Sequence, residues 1–178
     1  MELGCEFCTL IFFKMRLGIL SDTHNNLANL HAALEILRHE QVSTLIHCGD
    51  LTDVETALQL AEFRIICTFG NRDWNASEIK QNLLYFRADN YSNFFYQGEL
   101  GGVKIAATHG HMRSTLENMI QSDQYAYVFH GHSHMRSDER VGTTRVINPG
   151  ALGGVKHEAR SFAILDLDTG KLDFHLIE

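Results

Sequence analysis

Five times in this chain of 178 residues, a short apolar run stops at once on a residue able to bind a metal. "RLGIL" ends on Ser21-Asp22-Thr23-His24, and "STLIHC" ends on Gly49-Asp50. "RIICTF" ends on Gly70-Asn71-Arg72-Asp73. A fourth run reaches Thr108-His109-Gly110-His111, and "YAYVFHG" leads into Gly131-His132-Ser133-His134. Apolar runs of this length read as buried strands. Open α/β folds place ligands at the carboxyl ends of their strands. The repetition therefore demands a fold that brings several strand ends to one place.

The intervening segments suit such a fold. Leu27, Leu30, Leu34 and Leu37 recur at spacings of three and four, the stripe of an amphipathic helix. Residues 53–62, 76–85 and 114–122 are expected to be further helices. Two strands flank Gly101-Gly102, "TTRVINPG" forms another, and the chain closes on a hairpin around Asp168-Thr169-Gly170. An α/β pattern followed by hairpins predicts a mixed sheet, or two, covered by helices.

Net charge is -7, which disfavours generic binding to nucleic acid or anionic membranes. It does not disfavour a small phosphorylated substrate, because bound cations reverse the local field. No apolar stretch approaches the roughly 20 residues that span a bilayer. Cys48 and Cys67 lie inside apolar runs and are expected to be buried free thiols. Cys5 and Cys8 have no partner pair at zinc spacing. A reducing compartment, the cytoplasm, is the expectation. Met15 opens "MRLGILSDTH", so residues 1–14 read as an extension or a misassigned start, with the domain at 15–178. Residues 9–13, "TLIFF", are expected to pack on the domain or across a contact between copies, which leaves a homo-oligomer open.

Asp22, His24, Asp50, Asn71, His109, His132 and His134 form a coherent donor set. Imidazole, carboxylate and amide donors without thiolate suit manganese, iron, zinc, nickel or cobalt. Seven donors exceed one tetrahedral zinc but suit a pair of ions, and a carboxylate can bridge ions about 3.5–4 Å apart. In extended backbone, residues two apart face the same side. Asp22 with His24, and His132 with His134, are each expected to enter one site that way. Each motif alone fits a turn or a cap; the ordered set does not.

The series D-x-H, G-D-x-x-D, G-N-x-D, H-G-H and G-H-x-H resembles the calcineurin-like metallophosphoesterase superfamily, in particular its small bacterial and archaeal phosphodiesterases. The resemblance covers residues 15–178. It implies a four-layer sandwich, two mixed β-sheets flanked by helices. It implies two divalent transition-metal ions, manganese first, with nickel, iron, zinc or cobalt as other fits. Asp22, His24 and His134 would hold one ion, Asn71, His109 and His132 the other, and Asp50 would bridge. Asp53 and Asp73 would orient neighbours. Asn148-Pro149-Gly150 resembles a family turn in which serine is common where Ala151 stands.

The implied reaction is hydrolysis of a small phosphodiester by a hydroxide held between the metals. Many relatives carry histidine at the position of Arg72. Arginine cannot serve as an ordinary general acid, but it can stabilise charge on phosphoryl oxygens. His111 is the other catalytic candidate, with a pKa class suited to acid–base work. The remaining histidines, His47, His130 and His157 among them, are expected to be structural or exposed. Two other readings use the same fold. A protein-binding scaffold of the retromer type would be expected to lack ligand positions, and none is lost here. A nuclease acting on a long polymer would be expected to carry a basic track with stacking aromatics, and the sequence shows no such track.

Overall fold

The computed structural model describes residues 15–178. The expectations for residues 1–14, including Cys5, Cys8 and "TLIFF", fall outside the described residues.

Strands β1 (Arg16–Leu20), β2 (Thr44–His47) and β3 (Arg64–Thr68) run parallel. They are joined through helices α1 (Leu27–His39) and α2 (Val54–Leu58). Helix α3 (Ala76–Phe86) leads to the short strand β4 (Tyr91–Asn93), parallel to β3. The chain then crosses to a second sheet through β5 (Phe95–Leu100) and β6 (Val103–Thr108). There follow α4 (Arg113–Gln121), β7 (Tyr127–Phe129), β8 (Arg136–Val141) and β9 (Thr144–Pro149). Strands β10 (Arg160–Asp166) and β11 (Leu172–Ile177) return to the first sheet.

The six-stranded sheet has the order β11-β10-β1-β2-β3-β4, and the five-stranded sheet the order β5-β6-β7-β9-β8. Both are mixed, since β1 pairs antiparallel with β10, and β6 with β5, beside the parallel strands.

Side-chain alternation explains the layering. Leu17 and Ile19 of β1 face the other sheet together with Ile46, Ile66, Ile105, Phe129 and Ile147. Leu20, Leu45, Ile65 and Cys67 face the helices and meet Leu30, Leu34 and Leu37 of α1 and Ile79 and Leu83 of α3. Ala106 and Val128, on the outer face of the second sheet, are covered by Met119, Leu116 and Ile120 of α4. The result is the expected four-layer sandwich. Strands buried on both faces read as unbroken apolar runs, which is why the sequence displays them so plainly.

Three local expectations change. Helix α2 ends at Leu58, short of residue 62. The expected strand 125–131 narrows to Tyr127–Phe129. Strands β4 and β8 carry no apolar pattern: one has three residues, and the other, "RSDERV", is an edge strand with mostly exposed side chains. Cys48 and Cys67 are buried free thiols, as expected. Among the described residues no helix is long and apolar enough to cross a membrane.

The topology positions the site. Strands β1, β2 and β3 in one sheet, and β6, β7 and β9 in the other, form two parallel sets. The five donor motifs directly follow the carboxyl ends of β1, β2, β3, β6 and β7. Pro149 ends β9 beside them.

Candidate metal centre

Asp22 is fully buried one residue beyond Ser21, at the end of β1. Its Oδ2 accepts hydrogen bonds from the Ser21 hydroxyl at 2.5 Å and from the His132 backbone N–H at 3.0 Å. Its Oδ1 is buried without a hydrogen bond. Around that oxygen stand His134 Nε2 at 3.1 Å, His24 Nε2 at 3.8 Å and His109 Nε2 at 4.0 Å. Asp50 Oδ2 lies 3.5 Å from His24 Nε2 and 3.5 Å from His109 Nε2. Asn71 Oδ1 is 3.2 Å from His109 Nε2. The His132 ring packs edge-on to His109, centroids 5.0 Å apart. The structure thus brings all seven predicted donors to one locality.

Two imidazoles have their tautomers set by backbone carbonyls, which can only accept. His109 Nδ1 donates to Cys48 O at 2.7 Å, and His134 Nδ1 donates to Val155 O at 2.7 Å. Each Nε2 lone pair is thereby aimed at the carboxylates, the orientation that a metal-ligating histidine needs. His24 Nε2 is buried without a hydrogen bond as well. Asp22, His24 and His134 place donor atoms within 4.8 Å of one another, and so do Asp22, Asp50 and His109. Buried polar atoms without a hydrogen bond, Asp22 Oδ1 and His24 Nε2, fit a cation better than they fit each other.

Taken by themselves, the histidines and carboxylates shift one another. Burial alone would raise the Asp22 carboxyl, but His134, His24 and His109, with the Ser21 hydroxyl, hold it well below the ordinary carboxylate range. His134 is raised, chiefly by Asp22. Burial, with the neighbouring His109, pushes His132 down.

The backbone at these residues differs from the extended form that the sequence suggested. Asp22, His24, Asp50, His132 and His134 have φ between 45° and 69°, the left-handed region. The pairs Asp22/His24 and His132/His134 converge because the chain coils to the left past each strand end, and the two-residue strand period has no part in it. Two glycines act through close approach. A Cβ at Gly131 would enter the Ser21 hydroxyl and the Asp22 carboxylate, and one at Gly70 would enter the Asp50 carboxylate.

Supporting groups hold these turns. Asp73 is buried, and its Oδ2 accepts from Asp50 N at 2.9 Å and Gly70 N at 2.7 Å. Its Oδ1 accepts from Thr52 N at 2.7 Å. Asp53 caps α2, accepting from Thr56 N at 2.8 Å, and also lines the cleft above the donors. Asn148 donates to Gly131 O and to the Ser133 hydroxyl, both at 3.0 Å, and so fixes the loop that carries His132 and His134. Ala151 is buried. His47 is fully buried; its Nδ1 accepts from Gly49 N at 3.2 Å and its Nε2 faces the Thr23 hydroxyl at 2.8 Å. Burial holds it neutral, with its pKa pushed down to about 3.

The donors open into a cleft of about 720 Å³. Arg72 and Trp74 line one part of it, and Gly154, Val155 and His157 line another. Arg72 is exposed, and its backbone N–H donates to Asp50 Oδ1 at 2.8 Å. His111 is half-buried and does not line the cleft; its ring stands 5.3 Å from His109 and 6.3 Å from His132. Burial, then those two rings, lowers its pKa. Of the segment 152–157, the sequence singles out only His157, and not for the site. The segment's signal is the Gly153-Gly154 pair, which lets the chain press against Thr23, His24 and His134.

Two mixed sheets in four layers, with carboxylate and imidazole donors gathered at strand ends, define an enzyme of the phosphoesterase class. The chain belongs to the calcineurin-like phosphoesterase superfamily, whose domain matches residues 15–170. It is similar to the phosphodiesterase MJ0936 of Methanocaldococcus jannaschii, 37% identical over 156 residues that cover 86% of this chain and 94% of that one. A probable metallophosphoesterase of Bacillus subtilis, YsnB, is 29% identical, with 86% and 85% covered. The solved structure of an archaeal phosphodiesterase superimposes with a TM-score of 0.87 at 35% identity, covering 92% of this chain and 100% of that one.

Proposed function

We propose that the protein is a binuclear phosphodiesterase that hydrolyses small phosphodiesters. The observation that carries this reading is the row of converging donors: His134 and His24 on one side, His109 and Asn71 on the other, with carboxylates between, Asp22 Oδ1 and His24 Nε2 buried without a hydrogen bond. Asp22, His24 and His134 would hold one ion; Asn71, His109 and His132 would hold the other. Asp50, with one oxygen 3.5 Å from a histidine of each group, would serve both. Two divalent ions held there, manganese first among them, would lower the pKa of water toward neutrality and offset charge on phosphoryl oxygens.

The chain's own residues supply the rest. Arg72, at the cleft, offers a permanent charge to the phosphoryl oxygens. His111 is the candidate for protonating a leaving group. The diester preference draws on the relatives that bear the name phosphodiesterase. The cleft volume lies within the roughly 300–1,000 Å³ typical of small-ligand sites. All of these residues lie within 15–178, which we take as the catalytic unit. The buried thiols of Cys48 and Cys67 suit a reducing compartment such as the cytoplasm.

The test is elemental mass spectrometry after manganese loading, paired with hydrolysis of bis(p-nitrophenyl) phosphate. The expectation is close to two metals per chain and turnover that follows occupancy, with Asp50→Ala losing both ions. A stoichiometry near zero with every transition metal, or full occupancy in Asp50→Ala, would overturn the reading.

A further inference from the structure

Trp74 is the chain's single tryptophan, and it is 81% exposed. An indole of that size left bare in water forgoes the burial that normally places tryptophan inside a protein. Here it is neither adrift nor remote from the chemistry. It sits three residues beyond Asn71 and lines the cleft above the candidate centre. Its Nε1 donates to Asn71 O at 3.2 Å, and its backbone N–H donates to Arg72 O at 3.0 Å. The same turn is clamped beneath by the buried Asp73 carboxylate. The indole is thus oriented in advance, next to the arginine offered to the phosphoryl group.

We propose that Trp74 is a stacking platform for a nucleobase, so that the preferred substrates are phosphodiesters bearing a nucleoside. The inference rests on the phosphodiesterase reading and names its substrate class. Base–aromatic stacking tolerates any base, because every base presents a π-face. A single platform suits one nucleoside rather than a strand. The net charge of -7 agrees, since a polymer would need a basic track along its backbone.

Two diesters with the same leaving group test this: thymidine 5′-(p-nitrophenyl) phosphate and methyl p-nitrophenyl phosphate. In Trp74→Ala, the ratio of their kcat/KM values should fall by about 5- to 150-fold, mainly through KM for the nucleoside diester. Trp74→Phe keeps a ring but loses the bond to Asn71, and it should retain most of the ratio. A ratio unchanged in Trp74→Ala, or Trp74→Phe as impaired as Trp74→Ala, would overturn stacking and leave only support of the Asn71 turn.

A second readout does not need turnover. With one tryptophan, intrinsic fluorescence reports this site alone. Thymidine 5′-monophosphate should quench it saturably, and inorganic phosphate should not. Absence of nucleotide quenching overturns the proposal. Quenching by a protein that hydrolyses neither diester would support the platform while sinking the phosphodiesterase reading.

Discussion

Removing the Asp73 carboxylate should loosen the metal centre without touching a metal-facing donor. In the native fold this group accepts three backbone N–H bonds, from Asp50, Gly70 and Thr52, at 2.7–2.9 Å. Asp50 and Thr52 are themselves at positive φ, 56° and 84°, a conformation that the chain adopts reluctantly. Hydrogen bonds to a charged acceptor are worth about 1.5–3 kcal/mol each, so the gross loss in Asp73→Ala is about 5–9 kcal/mol. Part of that is offset, because the buried carboxylate pays for its own desolvation, which raises its pKa. A net destabilisation of about 3–4 kcal/mol is expected, near the top of the range for single substitutions. Asp73→Asn can keep the amide oxygen toward Asp50 and Gly70 and should lose about 1–2 kcal/mol. Urea unfolding of the metal-free protein measures both. Release of the 50–52 turn should also weaken manganese binding by about 10- to 100-fold, the usual scale for groups that orient ligands. An alanine variant within about 1 kcal/mol of the parent, with unchanged manganese affinity, would refute the argument that Asp73 holds Asp50 in place.

His47 is neutral in the fold, with its pKa pushed down to about 3 by burial, against 6.5 for the free side chain. Stability should therefore be full above pH 6.5 and fall as acid protonates the unfolded chain first. The loss reaches about 2 kcal/mol by pH 5, and a His47→Gln variant should show a flatter acid limb in its unfolding curves. Arg72→Ala should lower kcat on diesters by about 10²–10³-fold if its charge meets the phosphoryl oxygens. His111→Ala should slow alkyl leaving groups far more than nitrophenyl ones. Equal effects on both leaving groups would remove His111 from the proton path.

What was legible in the sequence, and what was not, follows from which residues carry the fold. Strands β1, β2 and β3 are buried on both faces, so Leu17 through Leu20 or Leu45 and Ile46 could hardly be read otherwise. Strand β8 hides because only its pairing with β9 makes it a strand; Arg136 to Val141 owe nothing to a core. The donors were legible for the same reason as the strands, since each stands at the abrupt end of an apolar run. Of their supports, Asp73 was legible through the family resemblance, while the contacts of Asn148 were not. Asn148 looks like one polar residue before a proline. Its amide meets Gly131 O only because β7 and β9 pair in parallel, a long-range register that no local spacing encodes.

The left-handed residues show most clearly where local reasoning stops. Extended backbone would have aimed Asp22 and His24 the same way, and so does the observed coil, by an unrelated route. Each left-handed residue other than glycine costs about 1–2 kcal/mol, so the five among the donors are sustained only by neighbours. Those neighbours are largely one another. Asp22 N donates to Gly49 O at 2.9 Å, His24 N to Asp50 O at 3.0 Å, Gly131 N to His109 O at 3.0 Å, and Gly153 N to Asp22 O at 2.7 Å. The donor loops thus bind each other before they bind anything else. This makes the centre a cooperative unit of the scaffold: a defect in one loop must strain the next, and the geometry of one donor group depends on the loops that carry the other.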